Sequence, residues 1–421
     1  MRMLVVNWRC TKNPLAGGAE IYFQEIFSRL VAKGHTVTLL AERFAGSAPE
    51  EIIGGIRVLR MGGKWTFNFA SYRNVGRLAD EGDYDIVIDD LNKIPFYSPW
   101  FTRRPVLAIL MHLFRGSIFR ETLPPMAAYV WLTESMIPWA YKNCRFAVLS
   151  DSSKRDVVKL GIPEERVAVI PPGTDFERFR PEEDKPRIDT DEHGSGGMRN
   201  RDLPRRHEGS TEIPGQSPSA EEPAGAIRDS PGFPLPVILH VGRLKRYKST
   251  HHLLEAARLL KSKGLRFEVV IVGEGDDKPR LEKAAAKLDV TDVVRFTGFI
   301  SEEEKIQWYR RAAVLVENSV KEGWGLIVME ANGCGTPVVV ARSPGLVDSS
   351  RDGVNGLFYE YGNVGQLAEK LELVLTDEAL RARLGEQAIG WARQWSWDKA
   401  AEDMEQAISR TIEEAKARMA K

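Results

Sequence analysis

Cysteine is scarce: Cys10, Cys144 and Cys334 are the only three in 421 residues, and none lies within C-x-x-C reach of another. That spacing argues against a zinc site and against a disulfide framework, and it fits a reducing compartment. Charge of one sign is not in excess either, since Lys+Arg and Asp+Glu both number 59. A nucleic-acid partner is therefore not expected. No apolar stretch reaches the length that crosses a bilayer, and the opening run Met3-Leu4-Val5-Val6 is shorter than the apolar region of a secretory signal. These absences predict a soluble cytoplasmic protein, attached at most to the inner face of a membrane.

What is present is ordinary for a globular chain, with 43% hydrophobic and 28% charged residues. The length exceeds what one core usually serves, so two domains are expected. Met3 to Val6 reads as a buried strand, Gly17-Gly18-Ala19-Glu20 opens an amphipathic helix to about Lys33, and Thr36 to Leu40 is a second strand. Strand, glycine loop and helix begin a doubly wound α/β domain, whose loops at the carboxyl edge of the sheet receive ligands. Asp85 to Asp89 and Pro105 to Met111 continue the sheet, so His112, which follows directly, belongs on that edge. Arg145 to Ser150 and Arg166 to Ile170 are further strands, with Ser152 as the expected cap of the helix between them. Pro171-Pro172-Gly173-Thr174-Asp175 then breaks regular structure and marks a domain junction.

Two segments stand apart in composition. From Ile94 to Tyr141 aromatics are dense, among them Phe96, Trp100, Phe101, Trp131 and Trp139, with Arg103, Arg104, Arg115 and Arg120 between them. Aromatics beside cations suit a lipid-water interface, but no clean amphipathic period with a basic face emerges, which favours helices packed in the core and lining the cleft. From about Pro181 to Pro236 the chain is rich in Pro, Gly, Ser, Glu and Arg with Phe233 as its one aromatic, the composition of a disordered connector.

The second half opens with the strand Val237 to Val241 and the loop Gly242-Arg243-Leu244-Lys245-Arg246-Tyr247-Lys248, ahead of a helix from about Ser249. A forked guanidinium and a flexible ammonium at a strand's carboxyl edge suit a diphosphate. Phe267 to Val272 ends in Gly273-Glu274-Gly275, and Lys278 stands where a dinucleotide fingerprint needs its third glycine, so NAD is not expected. Between the apolar runs Val314 to Val316 and Pro337 to Ala341 lies the most informative stretch, Glu317 to Gly335. It reads as strand, glycine loop, helix and strand, and a helix beginning near Gly325 aims free amides over the loop toward an anion, with Glu322 at the mouth. Glu330 has Leu326, Ile327, Gly333 and Cys334 as its helical neighbours and no Lys or Arg among them. Its carboxylate needs donors from elsewhere: sugar hydroxyls, backbone amides or a distant arginine.

Glu322-Gly323-Trp324-Gly325-Leu326, Glu330 and Gly335-Thr336-Pro337-Val338-Val339 resemble the E-x7-E signature of retaining nucleotide-sugar glycosyltransferases of family 4, also called glycosyl transferases group 1. The resemblance implies an α/β GT-B fold, two Rossmann-like doubly wound domains facing a cleft. The expected divisions are 1–180 on the acceptor side, 181–236 as disordered insertion, 237–394 around the donor, and 395–421 as a closing helix returning across the cleft. It implies catalytic roles for Arg243, Lys248, Glu322 and His112. Donor contacts are implied for Gly17, Gly18, Gly298, Phe299, Ile300, Gly323, Trp324, Gly325, Leu326 and Glu330. Asp89 and Asp90, leaving their strand, are placed to meet an acceptor. The family's connector is usually shorter than this insertion. At Pro172 and at Ser343-Pro344-Gly345-Leu346-Val347-Asp348 the sequence departs from the family's pattern.

The implied reaction takes a sugar from a nucleotide-sugar donor to a sugar, glycan or lipid-linked acceptor, in carbohydrate biosynthesis. No cofactor and no metal are implied. The D-x-D matches Asp83-Tyr84-Asp85 and Asp189-Thr190-Asp191 are set aside, one preceding its strand and the other lying in the insertion. The alternatives are a nucleotide-sugar epimerase and a non-catalytic nucleotide-sugar binding protein.

Overall fold

The computed structural model describes residues 1–91, 94–120, 122–182 and 235–420. Residues 183–234, nearly all of the expected insertion, lie outside the described residues. The first sheet contains β1 (Arg2–Val6), β2 (Thr36–Glu42), β3 (Glu50–Ile53), β4 (Ile56–Met61), β5 (Ile86–Asp90), β6 (Val106–Leu110), β7 (Arg145–Val148) and β8 (Val167–Val169), in spatial order β3-β4-β2-β1-β5-β6-β7-β8. Only the pairing of β3 with β4 is antiparallel. The second sheet contains β9 (Val237–Val241), β10 (Glu268–Val272), β11 (Val294–Gly298), β12 (Val314–Glu317), β13 (Val338–Ala341) and β14 (Gly356–Tyr359), in order β11-β10-β9-β12-β13-β14 and parallel throughout.

The near-continuous apolar runs of β1, β6, β9, β12 and β13 follow from burial on both faces, which helices on either side of a parallel sheet produce. In β1 the side chains alternate between two cores, Met3 and Val5 entering one and Leu4 and Val6 the other. The direction in which successive strands are added reverses between β1 and β5 in the first sheet and between β9 and β12 in the second. A crevice opens at such a reversal, outside the carboxyl ends of the strands.

The last helix, Trp397–Met419, packs on helix Gly18–Ala32. Its Ala400, Met404 and Ile408 share a core with Met3, Val5 and Tyr22, so the final residues of the chain complete the first sheet. The junction segment is anchored to the same region, Thr174 N donating to Trp395 O at 3.0 Å.

Two expectations are corrected. Ser150, not Ser152, caps helix Asp151–Lys159, its hydroxyl accepting from Ser153 N at 3.2 Å. The strand ends two residues earlier than its apolar pattern suggests, which moves the cap upstream. The aromatic segment is not packed away as a whole. Phe96 and Tyr141 are buried, but Trp100, Phe101, Phe119, Tyr129, Trp131 and Trp139 are exposed. Helix Pro124–Ser135 is apolar on all sides and rests on a small satellite core of Phe114, Ile118, Ala127 and Val130, so it cannot bury its whole circumference.

Candidate functional site

The two sheets meet at their carboxyl edges. Met111 and His112 leave β6 and face Glu322 and Gly323, which leave β12; a side chain added to Gly323 would come within 2.9 Å of Met111 O. The approach leaves no room there for anything but glycine. His112 is close enough to Glu322 to help lower the pKa of that carboxyl. Its loop is fixed by Glu134, whose carboxylate accepts from Phe114 N at 2.6 Å and Arg115 N at 2.7 Å. A further bridge across the cleft joins Lys321 to Asp156.

Glu322 is held from both sides. Its amide donates to Pro344 O at 2.9 Å, and Lys248 Nζ stands 2.8 Å from its carboxylate. The ammonium also pairs with Glu317 at 3.4 Å, a fully buried carboxylate that accepts from Ser319 N and Oγ. Burial alone would lower the Lys248 pKa, but Glu317 and Glu322 outweigh it and hold the amine well above its ordinary range. Burial alone would raise Glu322, yet Lys248 brings it below the usual carboxylate value. His240, buried on β9, ties the group to the sheet: Nδ1 lies 3.1 Å from Val316 O and Nε2 3.2 Å from Thr250 Oγ1. Burial lowers its pKa, so it serves as a neutral bridge.

Arg243 is exposed at the cleft and makes no ion pair or hydrogen bond among the described residues. A Cβ on Gly17 would lie 3.5 Å from its Nη2, and one on Gly18 would lie 3.3 Å from Leu326 Cδ1. The Gly17-Gly18 loop thus faces both the cation and the start of helix Leu326–Gly333. Gly325, with φ +119°, caps that helix in a conformation that side chains resist, and the first amides of a helix have no partner within it. Among the predicted residues, Gly17, Gly18, His112, Arg243, Lys248, Glu322, Gly323, Gly325 and Leu326 therefore converge.

Others sit apart. Trp324 is buried against Trp395, ring centroids 4.9 Å apart, and belongs to the core shared with the first sheet. Gly298 ends β11, two strands from β9, and Phe299 and Ile300 follow it, with Phe299 88% exposed and Gly273 N donating to Gly298 O. Glu330 lies further along helix Leu326–Gly333, and of the donors anticipated for it from elsewhere the structure supplies a distant cation, a lysine in place of an arginine, and a tyrosine hydroxyl. Lys305 Nζ lies 3.1 Å away and the Tyr309 hydroxyl donates to it at 2.7 Å, both from helix Glu302–Arg311, which sequence neighbours on its own helix could not reveal. Asp89 and Asp90 are buried rather than offered to the cleft. Tyr141 Oη donates to Asp89 at 2.6 Å, as does Ser98 N at 3.1 Å, and Asn7 Nδ2 donates to Asp90 at 2.7 Å. Among the described residues no cluster of three or more His, Cys, Asp or Glu side chains is arranged to hold a metal ion.

Glu317 went unrecognised in the sequence, although its signal was there: a carboxylate ending the otherwise apolar Val314-Leu315-Val316 must be paired when buried. Asn318, beside Glu317, and the departure from the family pattern at Ser343-Pro344 are used structurally. Asn318 accepts from the Tyr359 hydroxyl at 2.8 Å, Ser343 donates to Ser319 O at 2.7 Å, and Pro344 supplies the carbonyl that holds Glu322.

Residues 16–178 match the sequence model of Glycosyltransferase Family 4 and residues 226–391 that of Glycosyl transferases group 1. A D-inositol 3-phosphate glycosyltransferase from Streptomyces bingchenggensis is 35% identical over 57% of this chain and 47% of its own length, so the chain matches about half of that relative. Sucrose-phosphate synthase from Thermosynechococcus elongatus superimposes with TM-score 0.72 at 18% identity, over 96% of this chain and 97% of that one. The Anabaena protein HepE, solved in complex with UDP-glucose, gives 0.68 at 17% identity over 97% and 100%. With both halves matched in their order and the two-sheet architecture shared, the chain belongs to the group 1 glycosyl transferases of family 4, with the GT-B fold.

Proposed function

We propose that this protein is a retaining glycosyltransferase that moves a sugar from a nucleotide-diphosphate sugar to the hydroxyl of a glycan, lipid-linked or small-molecule acceptor. The observation that carries the reading is the placing of Lys248 on Glu322 at the mouth of helix Leu326–Gly333, with Arg243 opposite Gly17. Arg243, Lys248 and the first amides of that helix are suited to a diphosphate and to the charge that grows on it as it departs. Glu322 then orients the donor sugar, His112 contacts it from the other sheet, and Glu330, steadied by Lys305 and Tyr309, accepts from ribose hydroxyls. Gly298 to Ile300 run beside the base.

In this reaction the bond from the anomeric carbon to the phosphate oxygen breaks and a bond to the acceptor oxygen forms on the same face. The acceptor proton passes to the departing phosphate. The cationic side chains carry the leaving-group charge. Residues 1–180 form the acceptor side, 237–394 the donor side, and 395–421 the helix that returns to the first sheet, with 181–236 as connector. The exposed aromatics of the first half support a lipid-linked acceptor and attachment to a membrane surface from the cytoplasmic side.

HepE's bound UDP-glucose makes UDP-sugars the first donors to try, and the inositol phosphate in the relatives' name makes that the first acceptor. The test is thermal stabilisation of the wild type and Glu330→Ala by a panel of nucleotides and nucleotide sugars. A ligand at a hundred times its dissociation constant adds about 2.7 kcal/mol. Stabilisation by one nucleotide class, weakened in Glu330→Ala and followed by NMR detection of product with unchanged anomeric configuration, supports the proposal. Binding without turnover across an acceptor panel points to a sensor, and no stabilisation by any nucleotide in a folded sample refutes the site.

A further inference from the structure

At the opposite end of the first sheet from the cleft, where β6 and β7 begin, there is a second cavity of about 540 Å³. Its lining joins three parts of the chain: the segment after Trp100, the turn between Trp139 and β7, and the last turn of helix Trp397–Met419. Arg103, Arg104, Lys142 and Arg418 line it, and no Asp or Glu does. Arg104 leans on Asp80 and Asp83 at 3.5 and 3.4 Å, both outside the lining and largely exposed. Arg103, Lys142 and Arg418 have no ion-pair partner among the described residues. Four cations converge on one concavity without an internal anion to balance them.

The rim of the cavity is apolar in a definite place. Trp100 and Trp139 meet edge to face with centroids 4.9 Å apart and remain 43% and 65% exposed. Large aromatic faces left open beside cations favour a ligand with both an anionic and an apolar part. Phosphate groups match the cations because guanidinium forks bind two oxygens at once. The donor cleft lies at the other edge of the sheet, so a donor bound there does not reach this cavity.

We propose that this cavity is a second anion site, taking a phosphate monoester or diester whose apolar portion lies on Trp100 and Trp139. The same chemistry is found in an anionic lipid headgroup and in a soluble aryl phosphate, and two arms separate them. The first measures co-sedimentation of the full chain with phosphatidylglycerol vesicles against pure phosphatidylcholine vesicles. The second measures binding of phenyl phosphate against inorganic phosphate by calorimetry, with the cleft filled by a saturating nucleotide if one has been found. Each is repeated with Arg103→Glu/Lys142→Glu and with Trp139→Ser.

The expected result is binding in one arm, weakened about tenfold or more by the double charge reversal, sensitive to salt, and weakened less by Trp139→Ser. Glu330→Ala, in the cleft, leaves it unchanged, so the result stands even if no glycosyl transfer is found. A circular-dichroism spectrum matching wild type shows that the charge-reversed chain is folded, and Arg418→Glu, on an exposed last turn, serves if it is not. Binding in neither arm, or binding indifferent to these substitutions, overturns the proposal. Equal affinity for inorganic and phenyl phosphate removes the role of the tryptophans and overturns it as well.

Discussion

Both halves of the molecule bury carboxylates at the carboxyl edges of their sheets, but Asp89 and Asp90 in the first resolve the electrostatic problem in the opposite way to the acids of the second. Glu42 of the first, paired with Arg9 at 3.0 Å, follows the second half's solution. In the second half each acid has a cation: Glu317 and Glu322 share Lys248, and Glu330 has Lys305. In the first half Asp89 and Asp90 are surrounded by neutral donors, Tyr141, Ser98 and Asn7. Burial pushes Asp89 up to about 6 and Asp90 well above its ordinary value, with Glu20 and Asp89 adding to the rise in Asp90. Glu20 is itself raised by burial, which the amide of Gly17 and the nearby Arg9 and Arg243 only partly offset. A buried carboxyl without a cation holds its proton to a higher pH, whereas one beside an ammonium gives it up at a lower one. The second half thereby holds its acids charged in fixed ion pairs, whereas Asp89 and Asp90 take up a proton more readily than ordinary carboxyls.

The comparison breaks most completely at Lys248. Lys248→Ala leaves Glu317 and Glu322 buried and unpaired, and the expected loss is about 3–5 kcal/mol of stability. Urea denaturation should show it, together with partial recovery at low pH or in Lys248→Ala/Glu317→Gln. A loss no larger at neutral than at acidic pH contradicts the pairing.

Next is the pH dependence of the first half. An unfolded Asp titrates near 4 and Asp89 at about 6, so between these values the folded state holds the extra proton. Stability then falls as pH rises through that window, by about 3 kcal/mol from this group. Glu322 has the opposite sign: its lowered pKa contributes stability above the unfolded value that is lost as pH falls through the folded one. Asp89→Asn keeps an oxygen for Tyr141 and Ser98 and should flatten the fall relative to wild type. Parallel stability-pH curves for the two proteins count against a protonated Asp89.

A smaller effect is expected at Gly345, where an added Cβ would lie 2.2 Å from Glu322 O at a φ of +83°. Gly345→Ala should cost about 1–3 kcal/mol and shift Glu322 off Lys248. The associated readout is weaker donor stabilisation than an equally destabilised core variant shows. Smallest is Tyr309→Phe, which removes one donor from Glu330 but leaves Lys305 in place. About 1 kcal/mol is expected in thermal unfolding, and a loss several times larger means that Lys305 does not hold the carboxylate by itself.

Much of this architecture was legible in the residues. Continuous apolar runs such as Val237 to Val241 and Val338 to Ala341 mark strands buried on both faces, and glycines at their ends mark the ligand edge. Glu322, Lys248 and Arg243 could be singled out because each lies in a loop after such a run and falls on the motif of the family the sequence resembles. The partners of Glu330 could not, because Lys305 and Tyr309 belong to another helix and reach it only after β12 has placed the two helices side by side. Nor could the burial of Asp89: an acid at a strand end looks the same in sequence whether it faces solvent or a tyrosine from 52 residues away.

Local periodicity and turn chemistry by themselves determined the α/β class, the doubling of the fold and the position of the glycine loops at the carboxyl edges of the sheets, since those depend on neighbours within a few residues. Only the tertiary structure decided which carboxylates are charged, where the closing helix docks, and that Trp100 and Trp139 stay at the surface beside four cations. Charge state and exposure depend on groups that distant parts of the chain bring within a few ångströms, and spacing along the sequence does not encode that distance.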